Sequence, residues 1–253
     1  MSRSLETKPS SSIKYGDIIE LGDHVLVCGD ARDTDLVARV LKDRTIDVIL
    51  TDPPYGVDVV ASKQNFQELV KNKHIENDGL CSDVEYIEFS KAWLKPVLPY
   101  LKKRNAIYIF NADKMVFALR EALVQLKVKV SQLLVWAKDR AIIGRLDYLP
   151  QHELIVYGWF GTHDFKRSKS KSVLYFPKPT KNTLHPTMKS VPLLRHLILN
   201  SSKVGDVIYD PFAGSGSLLI ACEQTKRKSI NFELDVEYCQ TIVDRYNKLA
   251  AKQ

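Results

Sequence analysis

The chain has 253 residues, 45% hydrophobic and 26% charged, enough to bury a full core in one large domain and too apolar for a disordered polyelectrolyte. Lys and Arg number 37 against 30 Asp and Glu, and the net charge of +7 leans toward an anionic partner. Cys28, Cys81, Cys222 and Cys239 lie far apart, with no C-x-x-C pair and no nearby histidine cluster, so neither a metal site nor a disulfide framework is expected and a reducing cytoplasm is the expected setting.

Residues 1–12, "MSRSLETKPSSS", are polar without an apolar core segment and are expected to form a disordered tail before one domain over 13–253. No stretch is apolar for long enough to span a bilayer. "HVLVCGD" (His24 to Asp30) and "DVILTD" (Asp47 to Asp52) are predicted strands ending in acids, with "DLVARVLK" (Asp35 to Lys42) as the helix between them. The next segment, Gly56 to Gly79, is polar and without period, and is expected to be a long mobile loop beside Asp52. "VEYIEFSKAWLKPVLPYL" reads as helix up to its prolines, "NAIYIF" (Asn105 to Phe110) as strand, "KMVFALREALVQL" as helix, and "QLLVWAK" and "HELIVYGW" as a strand pair. Residues 160–184 then turn basic, Ser-rich and Pro-broken. Beyond them come a helix over Val191 to Asn200, a strand "DVIYD", a helix after Ser215, a strand "SINFELD" and a final helix from Val236. The alternation predicts an α/β fold, a doubly wound and mostly parallel sheet with helices on both faces.

"DVIYDPFAGSGSLLIACEQ" combines a strand ending at Asp210, a glycine loop (Gly214, Ser215, Gly216) and an immediate helix, so backbone N–H groups face any ligand closely approached there. Glu233 lies 23 residues beyond Asp210 at the end of the next strand, where an acid is placed to bond ribose hydroxyls. A dinucleotide fingerprint would want a third glycine where Leu219 stands, and a phosphate-binding Walker loop would want Lys after Gly216, where Ser217 stands; a pyrophosphate ligand is therefore disfavoured. Without Glu233 the loop is equally a plain strand-to-helix turn.

"GDA" (Gly29 to Ala31), "DPPY" (Asp52 to Tyr55), "HPTMK" (His185 to Lys189) and "DPFAGSG" (Asp210 to Gly216), in this order, resemble the beta class of S-adenosylmethionine-dependent DNA amino-methyltransferases over about Tyr15 to Tyr246. The resemblance implies a Rossmann-like methyltransferase fold with permuted motif order, double-stranded DNA as substrate and residues 160–184 as the target-recognition insertion. Ser190 departs from the proline usual after the lysine. By resemblance, Asp30 and Ala31 meet the adenine of the donor, Thr187 and Lys189 its methionine carboxylate, Phe212 its adenosine, and Asp210, Gly214, Ser215, Gly216 and Glu233 complete its site. Read blandly, Asp30 is a loop acid, His185-Pro186 a rigid turn and Phe212 a core residue.

The resemblance also gives "DPPY" a chemistry. An exocyclic amine is a poor nucleophile because its lone pair is delocalised into the ring. The Asp52 carboxylate and the Pro53 carbonyl, gripping both N–H bonds, would stabilise the positive charge that develops during attack. Tyr55 would stack on a base rotated out of the duplex, and no metal or covalent intermediate is required. The bland alternative is a Pro-Pro turn capped by Asp52. Lys166, Arg167, Lys169 and Lys171, flanked by aromatics, are expected to meet DNA phosphates, although such runs are often merely solvated. Adenine N6 is favoured over cytosine N4 because the cytosine branch commonly carries serine where Asp52 stands; a non-catalytic nucleic-acid-binding module on this fold is the more distant alternative. A homodimer and a partner restriction endonuclease rest on the resemblance alone.

Overall fold

The computed structural model describes residues 12–54, 82–141, 147–163, 165–167, 170–178 and 188–251. Residues 1–11 of the tail expected over 1–12, the expected mobile loop 56–79, and Tyr55, Lys169, His185 and Thr187 lie outside them.

Among the described residues a ten-stranded sheet carries the chain: β1 (Ile18–Leu21), β2 (His24–Cys28), β3 (Ile46–Thr51), β4 (Leu101–Asn111), β5 (Lys129–Ala137), β6 (His152–Trp159), β7 (Thr162–His163), β8 (Val173–Tyr175), β9 (Val207–Asp210) and β10 (Lys228–Glu233). Its order is β1-β2-β10-β9-β3-β4-β6-β5-β8, with β7 paired to β4 off this path. The central strands β2, β10, β9, β3 and β4 run parallel. β2 and β3 are buried at every position, and each carries a continuous apolar stretch, Val25 to Cys28 and Val48 to Leu50.

The α-helices among the described residues are α1 (Thr34–Leu41), α2 (Asp83–Leu94), α3 (Val116–Gln125), α4 (Val191–Ser201), α5 (Ser217–Thr225) and α6 (Val236–Ala250). α1 to α3 pack one face of the sheet through Val37, Trp93 and Leu119. On the other face α4 and α5 contribute Leu193, Leu197 and Leu218, and α6 adds Ile242 beside Leu219. Caps fix the helix starts: Asp33 accepts from Leu36 N, Ser82 and Glu85 form a capping box, and Asp235 accepts from Glu237 and Tyr238 N. The doubly wound expectation holds.

Two features of this topology place the site. β9 and β3 lie side by side, and from them the chain winds outward in opposite directions, to β10 and β2 on one side and to β4 on the other. Such a switch point opens a crevice at the carboxyl ends of the strands. β6 is antiparallel between β4 and β5, so its first residues stand at that same end. β1, an antiparallel edge strand bounded by Gly16 and Gly22, was not expected; four residues give too short a pattern to read.

Candidate active site

β3 ends at Thr51, and Asp52, Pro53 and Pro54 continue without regular structure. Proline supplies no ladder donor and fixes φ, so the strand cannot propagate past this corner. Thr51 Oγ1 donates to Asp210 Oδ1 at 2.7 Å, and Phe212 N donates to the same oxygen at 3.1 Å. Two motifs far apart in sequence are thus joined by a buried hydroxyl–carboxylate bond across the β3/β9 seam.

Burial pushes Asp210 up to about 7, against the opposing bonds from Thr51 and Phe212 and with a further rise from the neighbouring Asp52 charge. The unfolded carboxyl, near 3.8, loses its proton first, so stability falls as pH rises between that value and about 7. Over pH 5.5 to 7 this amounts to about 2 kcal/mol, or ~5 °C in Tm for a chain of this size. Asn at 210 can keep Oδ1 as acceptor for both bonds. Thermal melts of Asp210→Asn should therefore lose that part of the decline, and a slope equal to that of the parent would show Asp210 already ionised.

Lys189 Nζ stands 2.6 Å from Asp52 Oδ2 and 3.0 Å from Glu153 Oε2. Glu153 Oε1 in turn accepts from Lys138 Nζ at 2.6 Å. The four side chains alternate in charge, and aromatic rings lie beneath both ammonium groups, Phe110 at 5.2 Å from Lys189 Nζ and Trp136 at 4.9 Å from Lys138 Nζ. Burial raises the Glu153 carboxyl, but the charges of Lys189 and Lys138 and their hydrogen bonds outweigh it and hold the group below its ordinary range. Lys189, expected to meet a donor carboxylate, has its ammonium beside Asp52, within the crevice where that carboxylate is expected.

On the other side of the seam the glycine loop turns with Gly214 and Gly216 at positive φ. A Cβ at Gly216 would lie 2.9 Å from Ile242 Cγ1, so the close approach of α6 requires glycine there. Ser215 is buried, and its carbonyl accepts from Arg245. Glu233 closes the loop: Oε2 accepts from Gly214 N at 2.7 Å and Oε1 from Asp235 N at 2.9 Å. Burial pushes Glu233 up to about 7 despite these two bonds.

Gly29 N donates to Glu233 O at 2.8 Å, which brings the "GDA" turn alongside. Asp30 is gripped by Arg32, with 2.7 Å from Nη2 to Oδ2, and Ala31 is buried beside it. The Arg32 guanidinium lies 5.8 Å from the Phe89 ring centre, and Phe89 packs on Phe212 at 5.8 Å. Phe212 also meets Trp93 edge-on, so it joins the loop to the core. Asp30, Ala31, Asp52, Pro53, Lys189, Asp210, Phe212, Gly214, Ser215, Gly216 and Glu233 therefore gather at or behind the carboxyl ends of β2, β3, β9 and β10.

Lys166 is not brought to this crevice. Its N–H donates to Asn200 O at 2.7 Å, and it lines a cavity of about 320 Å³ with Asp47, Lys102, Arg104, Lys203 and Asp206, at the amino ends of β3, β4 and β9. Arg167 and Lys171 are exposed, and the segment they occupy continues into β8, which pairs with β5. Sequence reasoning missed Thr51, Lys138 and Glu153. Glu153 carried one usable signal, an acid at the start of an otherwise apolar strand.

Among the described residues no cluster of His, Cys, Asp and Glu is arranged to hold a metal ion, and no helix is long and apolar enough to cross a membrane.

Residues 46–244 match the N6/N4 family model described as DNA methylase. The Type II methyltransferase M.HpaI of Haemophilus parainfluenzae is 27% identical over 250 residues, covering 88% of this chain and 74% of that protein. M2.LlaDCHI, a Type II methyltransferase of Lactococcus lactis subsp. cremoris, is 24% identical, covering 93% of this chain and 96% of its own length. In fold the chain is similar to M1.HpyAVI, solved as a SAM complex, with a TM-score of 0.63 at 21% identity over 87% of this chain and 98% of that one. It is also similar to the cytosine-N4-specific PvuII DNA methyltransferase, with a TM-score of 0.64 at 14% identity over 90% and 93%.

Proposed function

The chain belongs to the N6/N4 DNA methylase family, and within it we propose a site-specific adenine-N6 methyltransferase that uses S-adenosylmethionine and acts on double-stranded DNA. The observation that carries this reading is the position of Asp52, a carboxylate at the carboxyl end of β3, at the switch point and across the seam from the glycine loop.

The donor set suits a nucleoside with a cationic sulfur. Glu233 accepts one N–H on each oxygen, and since each oxygen carries two lone pairs it can accept again from ribose hydroxyls; Asp30, gripped through both oxygens by Arg32, would accept from an adenine amine by giving up part of that grip. Phe212 offers a ring beside them, and the Gly214 turn admits close backbone approach. When bound, S-adenosylmethionine supplies a methyl group on a positively charged sulfur. Asp52 and the Pro53 carbonyl hold the two N–H bonds of the target amine, so the charge that develops on nitrogen meets oxygens already in place. Tyr55 stacks on the everted base, a contact worth about 1–3 kcal/mol. Thr187 meets the donor's methionine end.

Aspartate at position 52 favours adenine over cytosine, where the related branch carries serine. The segment 160–184 is the proposed target-recognition insertion, with Arg167, Lys169 and Lys171 on phosphates; binding should then weaken steeply as salt rises. The likeness to Type II methyltransferases supports a place in a restriction-modification pair in the cytoplasm.

Incubation of the purified protein with plasmid DNA and methyl-labelled S-adenosylmethionine, followed by digestion to nucleosides, tests the reading. Labelled N6-methyldeoxyadenosine is expected. Labelled N4-methyldeoxycytidine would move the protein to the cytosine branch, and no labelled nucleoside would contradict methyl transfer to DNA.

A further inference from the structure

No motif of the chain contains Glu153, yet it occupies the centre of the charged set behind Asp52. It stands at the start of β6, opposite Trp136 of β5, and because β6 runs against its neighbours this position lies at the crevice end of the sheet. A carboxylate so enclosed requires cations, and it has two: Lys138 at 2.6 Å on Oε1 and Lys189 at 3.0 Å on Oε2. The Lys138 backbone is fixed in turn by reciprocal bonds with Gln151, 2.9 Å each way. Lys189 is therefore an ammonium shared between two carboxylates, one of them the proposed amine acceptor.

Resting on the proposed function, we infer that Glu153 is a positioning residue that draws Lys189 away from Asp52 when the target amine arrives. The physical need is clear from charge. An ammonium 2.6 Å from Asp52 Oδ2 competes for the lone pairs that grip the amine, and it repels the positive charge that develops on the amine nitrogen. Glu153 Oε2 gives the same ammonium a second seat 3.0 Å away, so Lys189 can release Asp52 without being left buried and unpaired. Lys138 neutralises Glu153 on its far side and limits how tightly that seat holds, which keeps the transfer reversible. Phe110, 5.2 Å from Nζ, forms a floor under the ammonium.

The role separates from a merely structural one by its dependence on Lys189. Glu153→Gln removes the second seat's charge and leaves the ammonium on Asp52. Single-turnover methylation should slow about tenfold, with the donor Kd and the Kd for DNA unchanged. Glu153→Asp, which keeps the charge, should recover part of the rate. In a Lys189→Met background, Glu153→Gln should cost nothing further, because the group on which it acts is gone. An unchanged rate for Glu153→Gln, or a loss that persists undiminished beside Lys189→Met, overturns the inference. Thermal melts of the parent, Glu153→Gln, Lys189→Met and the double variant read the Glu153–Lys189 coupling without reference to catalysis. If the parent transfers no methyl group, the proposed function fails, while additive Tm changes across that cycle would separately sink the link between Glu153 and Lys189.

Discussion

Asp52→Ala is expected to lower the single-turnover rate of methyl transfer by about 1,000-fold, the scale on which a prepositioned acceptor of developing charge contributes. The donor Kd should change little, because Gly214, Asp235 and Gly29 are bonded to Glu233 and not to Asp52. Lys189 keeps Glu153 as its counter-charge, so the variant should fold. Rates measured with donor and DNA saturating, beside calorimetric donor binding, check both halves. Turnover within tenfold of the parent removes Asp52 from the mechanism.

Glu233→Ala should show the opposite division, with donor affinity falling about 10- to 100-fold, as expected for losing hydrogen bonds to a charged group. The change removes the proposed ribose acceptor and also the clamp on Gly214 N and Asp235 N, so the loop and the start of α6 loosen together. Since Glu233 is pushed up to about 7, donor affinity in the parent should strengthen as pH rises through that value, where the better acceptor, the carboxylate, becomes the dominant form. Calorimetry across that interval reads both effects. An unchanged dissociation constant in Glu233→Ala would overturn the ribose assignment.

Both predictions rest on residues that were legible in the sequence, for a physical reason. β2, β3, β9 and β10 are largely buried strands rich in apolar and β-branched residues, and an acid ends or closely follows each (Asp30, Asp52, Asp210, Glu233), so strand and acid are visible together. The β5/β6 pair was equally plain from local pattern. What the sequence could not show is the insertion of β6 between β4 and β5, because strand order is decided by contacts distant in the chain. Glu153 depends on that order: in an outward position it would be an ordinary strand acid. For the same reason the pattern "HPTMK" placed Lys189 near the donor but could not reveal its bond to Asp52. Lys166 shows the same limit: its place at the amino ends of the central strands, opposite the crevice, is set by the fold and not by its neighbours in sequence.

A crystal structure of the protein with a methyl-donor analogue and a duplex containing its target site would test the polar grip most directly. An everted adenine is predicted, its exocyclic nitrogen about 2.6–3.2 Å from an Asp52 oxygen and from the Pro53 carbonyl, with Lys189 withdrawn onto Glu153. A target base still stacked in the duplex, or seated elsewhere while Lys189 keeps its place on Asp52, would contradict it.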